Sequence, residues 1–362
     1  MRKAMASMVL PLVLLACGDD KKPGAGSGGA GEPGGAGATG GAGTTGGAGT
    51  GGAAGGAGAG QAAFRVIGYE TSWSGTVDAI PLDRLTHLNY AFALPSADGT
   101  LLPLENPDKL RQLVTRAHAR GVKVLISVGG WNDGNDSGFE MLARGADTRA
   151  RFATTMSTFV TTYGLDGVDI DWEYPDAGAS ADAYVLMMAE LSRVLRPRNL
   201  LLTAAVAGSR FGGEGVLPAA FAHVDFLNLM AYDGGDGADH SPYTYAESAI
   251  AYWAGKGLPR DKIVLGVPFY GRPGYVTYRD LVAADAQAPM RDLTNGVNYN
   301  GLETMRRKTQ LALERGSGVM IWELSQDTSD GTSLLGAIHE TVRAAGMPRA
   351  PGTRALSTAA RK

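Results

Sequence analysis

The sequence holds a single cysteine, Cys17, so no disulfide can form within the chain and a zinc site of four cysteines is excluded. Histidine is also scarce. The five present are scattered without metal-ligand spacing, and no metal is expected. No Gly-x-Gly-x-x-Gly turn follows the first apolar run, so there is no sign of a dinucleotide cradle, and no cofactor is expected. Basic charge is not in excess: 33 Lys and Arg stand against 36 Asp and Glu, a formal net charge of -3. That balance leaves no electrostatic footprint for DNA or RNA, and no nucleic-acid partner is expected. No apolar run reaches the roughly 20 residues that a membrane-spanning helix needs. Glycine, by contrast, is abundant, and 20 of its 53 copies fall within residues 23–60.

Arg2 and Lys3 precede an apolar run at 4–16, and Cys17 follows it. A basic start, a short apolar middle and a small residue before the break read as an export signal. The break itself, Leu14-Leu15-Ala16-Cys17, resembles the bacterial lipoprotein box, in which the cysteine thiol is lipidated and becomes the new N-terminus. Residues 1–17 are therefore expected to be a lipoprotein-type signal. The protein would be exported and held to the cell envelope or surface membrane by its lipid. An ordinary signal peptide with an incidental cysteine, and hence free secretion, is the alternative. Residues 18–62 repeat a unit near Gly-Gly-Ala-Gly-x-x, with too few large apolar side chains to offset the entropy of ordering. The strict register of collagen is missing. A disordered tether with a reach of roughly 35 Å is expected; a self-associating surface tract is the alternative. The end, 347–362, carries Arg349, Arg354, Arg361 and Lys362 and is expected to be a disordered basic tail.

Between 63 and 346 strand and helix signals alternate. Apolar runs lie at 64–69, 85–92, 122–128, 168–171, 200–206, 224–230, 263–269 and 318–324. They lack polar alternation, as parallel strands covered on their outer face do. Asn106-Pro107-Asp108 predicts an N-cap with proline at the first helical position. Leu110, Leu113, Val114 and Ala117 then mark one helix face, and Gly121 ends it. Tyr184, Met187, Met188, Leu191 and Leu195 mark another, stopped by Pro197. Further helices are expected at 246–256, 302–315 and 334–345. This number and order of elements predict an α/β chain folded as a (β/α)8 TIM barrel; a monomer is expected. A doubly wound open sheet is the competing topology; it would usually use fewer strands and a glycine-rich phosphate turn. A barrel places chemistry at the C-terminal ends of its strands.

The fourth run reads Asp166-Gly167-Val168-Asp169-Ile170-Asp171-Trp172-Glu173-Tyr174-Pro175. Side chains alternate along a strand, so Asp169, Asp171 and Glu173 share one face and Val168, Ile170 and Trp172 the other. Inside a closed barrel the acids stand in a row at about 6.7 Å intervals. Buried like charges resist ionisation, so at least one acid keeps a proton near neutral pH, which is what a general acid requires. A solvated edge would leave Val168 and Ile170 exposed. A divalent metal needs convergent oxygens, which a single strand does not supply unless other ligands join it. A proton-handling array is the favoured reading, with the edge and the metal site as alternatives. Asp166 has the opposite parity and is expected to cap a turn or buttress the base of the row.

This segment resembles glycoside hydrolase family 18, the chitinase family. Asp166, Asp169, Asp171 and Glu173 fill the signature Asp-x-x-Asp-x-Asp-x-Glu, with Gly167, Trp172, Tyr174 and Pro175 matching its flanks. Other matches follow in order: Gly68-Tyr69, Asn89-Tyr90-Ala91-Phe92, Ser127-Val128-Gly129-Gly130-Trp131, Met230-Ala231-Tyr232-Asp233, Pro268-Phe269-Tyr270-Gly271-Arg272 and Trp322-Glu323-Leu324-Ser325-Gln326-Asp327. The resemblance implies a TIM barrel and chitin or N-acetylglucosamine oligosaccharides as substrate. It further implies that Glu173 protonates the leaving oxygen while the sugar's own 2-acetamido carbonyl attacks C1, with net retention. Asp171 would orient the acetamido group, Asp169 couple to Asp171, and Tyr232 hold the acetamido oxygen. Met230 and Asp233 would contact the distorted sugar, and Trp322 would be its stacking floor. Tyr69 and Ser127 would hydrogen-bond Asp169. Arg272 would bind a sugar hydroxyl or form a surface ion pair, Trp73 and Trp131 would offer outer subsites, and Trp253 would be core. Residues 273–297 are too few for the cleft-deepening insertion of some relatives, so a shallow groove that cuts internally is expected. A non-catalytic sugar-binding protein and an endo-β-N-acetylglucosaminidase are the alternative readings.

Overall fold

The computed structural model describes residues 64–346. Cys17 with the signal segment, the glycine-rich stretch 18–62 and the tail 347–362 lie outside the described residues. Eight parallel strands close into a barrel in chain order. They are β1 (Arg65–Thr71), β2 (His87–Ala93), β3 (Lys123–Gly129), β4 (Gly167–Asp171), β5 (Leu201–Ala207), β6 (Phe226–Met230), β7 (Ile263–Pro268) and β8 (Gly318–Trp322). The seam is the β1–β8 pairing, Arg65 opposite Gly318 through Gly68 opposite Ile321.

The alternation of side chains divides the apolar residues into two cores. The larger lies between barrel and helices and takes outward-facing residues such as Val168, Ile170, Leu227 and Leu229. Fully burying a side chain of that size is worth about 1.5–3 kcal/mol, so this layer supplies most of the driving force. The smaller core is inside the barrel and includes Ile67, Tyr69, Phe226, Met230, Val264 and Met320.

The helices are α1 (Pro107–His118), α2 (Ser137–Arg144), α3 (Ala146–Tyr163), α4 (Ala179–Leu195), α5 (Tyr243–Gly255), α6 (Tyr278–Ala284), α7 (Leu302–Arg315) and α8 (Leu334–Ala344). Helices α2 and α3 are additional to those expected from the sequence. In α3 only Phe152, Ala153, Met156 and Val160 are buried, and threonines dilute the stripe. Thr154, Thr161 and Thr162 satisfy their hydroxyls on the carbonyl four residues back, which lets these low-propensity residues sit in a helix. Asn106 is a correction. Its side chain does not cap α1; the residue sits in the left-handed region at φ 50° and its amide donates to the Ser72 carbonyl at 3.2 Å. The β1–β2 crossover has only two single-turn 3-10 segments, and the β5–β6 crossover only the short turns Arg210–Gly213 and Pro218–Ala222. Gly212, at φ +76°, and Pro218 interrupt any longer helix there. Between β7 and α7 the chain forms two small antiparallel ribbons and α6. Among the described residues no helix is long and apolar enough to cross a membrane.

Candidate active site

The acids of β4 meet three different environments as the strand rises. Asp169 is fully buried and level with Ser127 of β3 and Thr203 of β5. It accepts hydrogen bonds from the Tyr69 hydroxyl at 2.5 Å, Ser127 Oγ at 2.9 Å, Thr203 Oγ1 at 2.5 Å and Asn228 Nδ2 at 3.2 Å. Burial pushes its carboxyl up, and the four donors pull it part of the way back. Asp171, one step higher, is also buried, but its Oδ1 has no hydrogen-bond partner among the described residues. Burial, then the neighbouring Glu173 and Asp169, hold Asp171 well above the ordinary carboxylate range. Glu173 is half-buried and opens on a cavity. Burial pushes it to about 7; a hydrogen bond with Tyr174 opposes the shift and the charge of Asp233 adds to it.

The backbone that presents this row depends on Gly129 and Gly130 at the end of β3. Gly130 N–H donates to the Asp171 carbonyl at 2.8 Å. Gly129 has φ +108°, and a Cβ there would lie 2.3 Å from that same oxygen. Any larger residue would displace the strand end that carries Asp171.

Above the row lies a cavity of about 910 Å3 lined by Asp171, Glu173, Met230, Tyr232, Asp233 and Trp322, among others. Trp322 stacks on Phe92, with ring centroids 5.6 Å apart and planes 23° apart, and meets Tyr69 edge-on. Asp233, at φ 54°, accepts from the Tyr270 hydroxyl at 2.6 Å and faces His240 Nδ1 at 3.1 Å. Burial raises its carboxyl, but the His240 and Tyr270 hydrogen bonds together with the charges of His240 and Arg272 hold it below the usual range. Arg272 also lines the cavity, stacks on Tyr275 at 4.0 Å, and pairs with Asp236 at 2.5 Å and Asp233 at 3.4 Å. It is thus both a cleft residue and an ion-pair partner. Trp73 and Trp131 stand at the rim, each 60% exposed. Trp253 lies in the outer core and donates to the Ala207 carbonyl at 2.9 Å. Asp166 is at the base of the barrel, bonded to Val124 N–H and His118 Nε2, both at 2.8 Å.

Four contributors escaped the sequence argument: Thr203, Asn228, Tyr270 in its role toward Asp233, and His240. Thr203 and Asn228 did carry a signal, since each is a lone polar residue in an otherwise buried apolar strand. His240 carried none, because its partner is set by the path of the loop. Among the described residues no group of three or more His, Cys, Asp or Glu is placed to hold a metal ion.

The model of the glycosyl hydrolases family 18 matches residues 65–327. The chain belongs to that family. It is 30% identical over 267 residues to probable chitinase 10 of Drosophila melanogaster, covering 62% of this chain and 12% of that protein. It is 32% identical over 248 residues to a probable endochitinase of Caenorhabditis elegans, covering 56% and 40%. The chain thus spans less than half of the length of these curated relatives. Among solved structures it is similar to the GH18 chitinase ChiB from the chitin utilization locus of Flavobacterium johnsoniae, with 30% identity and a TM-score of 0.70 over 78% of this chain and 94% of that one. A chitinase of Bacteroides thetaiotaomicron gives 26% identity and a TM-score of 0.71 over 79% and 99%. Family membership accounts for the closed barrel.

Proposed function

We propose that this family 18 member is a chitinase that hydrolyses β-1,4 bonds between N-acetylglucosamine units with retention. The observation that carries this reading is the unpartnered, buried Oδ1 of Asp171 beside Glu173 in a cavity floored by Trp322. A buried acceptor without a donor is costly, and the amide N–H of a 2-acetamido group supplies one. Glu173, held near 7, gives its proton to the leaving glycosidic oxygen as that bond breaks. The acetamido carbonyl oxygen forms the new bond to C1, and Asp171 takes the charge that develops on the amide. Water then opens the oxazolinium ring, returning a proton to Glu173. Two inversions at C1 leave the β configuration. Tyr232, at the cavity wall, holds the acetamido oxygen, and the exposed faces of Trp73 and Trp131 take further sugars of the chain. The near-neutral charge of the chain fits an uncharged polymer. We read the protein as an exported monomer anchored through a lipid on Cys17; the support is that its only cysteine ends the signal-like run.

Early-time NMR of chitotetraose cleavage tests the mechanism, with the β-anomer expected first; an α-anomer would overturn it. Glu173→Gln is expected to lower kcat by roughly 10^3. Release of glycans from a high-mannose glycoprotein, with chitotetraose left intact, would favour the endo-β-N-acetylglucosaminidase instead. For the anchor, Cys17→Ala is expected to move the protein from the membrane fraction to the medium.

A further inference from the structure

Lys308 in α7 is completely buried and forms no ion pair within 4.0 Å among the described residues, an arrangement that costs free energy unless something fixed is gained. Its three donors are fully used on neutral acceptors: the Ser241 carbonyl, Ser241 Oγ and Asn300 Oδ1, each at 2.7 Å. Asn300 Nδ2 adds a bond to the same Ser241 carbonyl at 2.9 Å. Ser241 Oγ donates in turn to the Ala231 carbonyl at 2.8 Å, so its contact with Lys308 requires the lysine to be the donor. Burial pushes the ammonium down to about 7, with the charge of Asp292 opposing the shift, and the three acceptors take up its donors directly.

Ala231 and Ser241 are the two ends of the loop that leaves β6. Between them lie Tyr232 and Asp233, which line the cavity, and His240, whose ring faces Asp233 Oδ1 on one side and the Tyr270 carbonyl at 3.2 Å on the other. The bond from Ser241 to Ala231 closes the loop at its neck, and Lys308 with Asn300 holds that neck against α7. We propose that Lys308 is a positioning residue for the chitinase reaction, acting through Ser241 to hold Tyr232 and Asp233 at the sugar. The proposal rests on the chitinase reading for its kinetic arm only; the clamp itself can be tested without turnover.

A double-mutant cycle on chitotetraose hydrolysis provides the kinetic test. Lys308→Met is expected to lower kcat by about 10- to 100-fold while KM stays within about threefold, because the loop is needed more at the transition state than for binding. In an Asp233→Asn background the same substitution is expected to lower kcat by several-fold less than in the wild type, since the part of its effect that runs through Asp233 is already lost while the part through Tyr232 remains. Full additivity would overturn the proposal. Hydrogen exchange of the free protein is the second arm. Faster exchange confined to residues 231–241 is expected in Lys308→Met; no change there, or an equal rise across the barrel, would overturn the clamp. Inactivity of the wild type on oligosaccharides together with the localised exchange change would refute the substrate reading and leave the clamp standing. Should Lys308→Met not fold, Ser241→Ala removes the Oγ link between Lys308 and Ala231 and carries the same two tests, with a smaller kinetic loss in the same direction.

Discussion

The wall of the barrel has two faces built from the same short strand. On the outer face of β4, Val168 and Ile170 are fully buried against the helices and Trp172 continues the line, stacked on Phe139 at 5.3 Å. On the inner face stand Asp169, Asp171 and, just beyond, Glu173. Outside, the energy comes from apolar area, which any side chain of similar volume can supply. Inside, each oxygen must find a donor, and the supply falls toward the mouth of the barrel. Asp169 has four donors, Asp171 has a bare Oδ1, and Glu173 faces the cavity. The rise in unmet hydrogen bonding toward the cavity distinguishes a site from a core, and it points to where a substrate amide fits.

The largest effect that this contrast predicts is at Asp171. Asp171→Asn preserves volume but replaces the carboxyl beside the sugar amide with a group that cannot take on charge as the amide becomes positive. It is expected to lower kcat by roughly 10^2 to 10^3 with little change in thermal stability, checked by steady-state kinetics and melting together. Loss of stability with activity retained would place Asp171 among the structural residues of the core and break the contrast.

A second effect concerns pH. Glu173 titrates at about 7 in the folded chain, above its ordinary value of 4.5. Its proton is needed for bond cleavage, so kcat/KM is expected to fall as pH rises through about 7. The sign for stability follows from linkage. The folded protein binds this proton more tightly than the unfolded one, so the stability that it contributes is present below about 4.5 and is lost as pH rises through about 7. Glu173→Gln, which cannot ionise, is therefore expected to be more stable than the wild type at pH 8 by denaturant unfolding, with the gap narrowing at low pH. The same substitution that slows turnover should strengthen the fold, which is the expected signature of an acid kept for chemistry.

The two faces also differ in how far the sequence exposes them. The barrel strands could be read because a parallel strand covered on its outer face is apolar without interruption, and all eight runs fall within a few residues of their observed positions. The row at Asp169, Asp171 and Glu173 was legible because period two places alternate residues on one side. Features that depend on where separate segments meet were not legible. Asn106 has the form of a helix cap, yet its amide goes to Ser72 because α1 starts beside the loop after β1. His240 and Lys308 each look like an isolated polar residue in sequence, and only the path of the β6 loop brings His240 to Asp233 and Ser241 to Lys308. Helix α3 was hidden for a local reason, since its threonines weaken both propensity and apolar period while tertiary packing restores the helix.

The smallest predicted effect comes from the outer face and acts as the control for the rest. Ile170 is flanked in sequence by Asp169 and Asp171 but points the other way, into the layer under the helices. Ile170→Val removes one methylene from a fully buried site and is expected to cost about 0.5–1.5 kcal/mol of stability by urea unfolding. The backbone between the two acids is held by pairing to Val128 of β3 and Ala204 of β5, and that pairing does not involve the lost atom. Turnover should therefore stay within about twofold of the wild type. A large loss of activity from this single methylene would mean that outer packing sets the height of Asp171, and that the two faces of the wall act as one element.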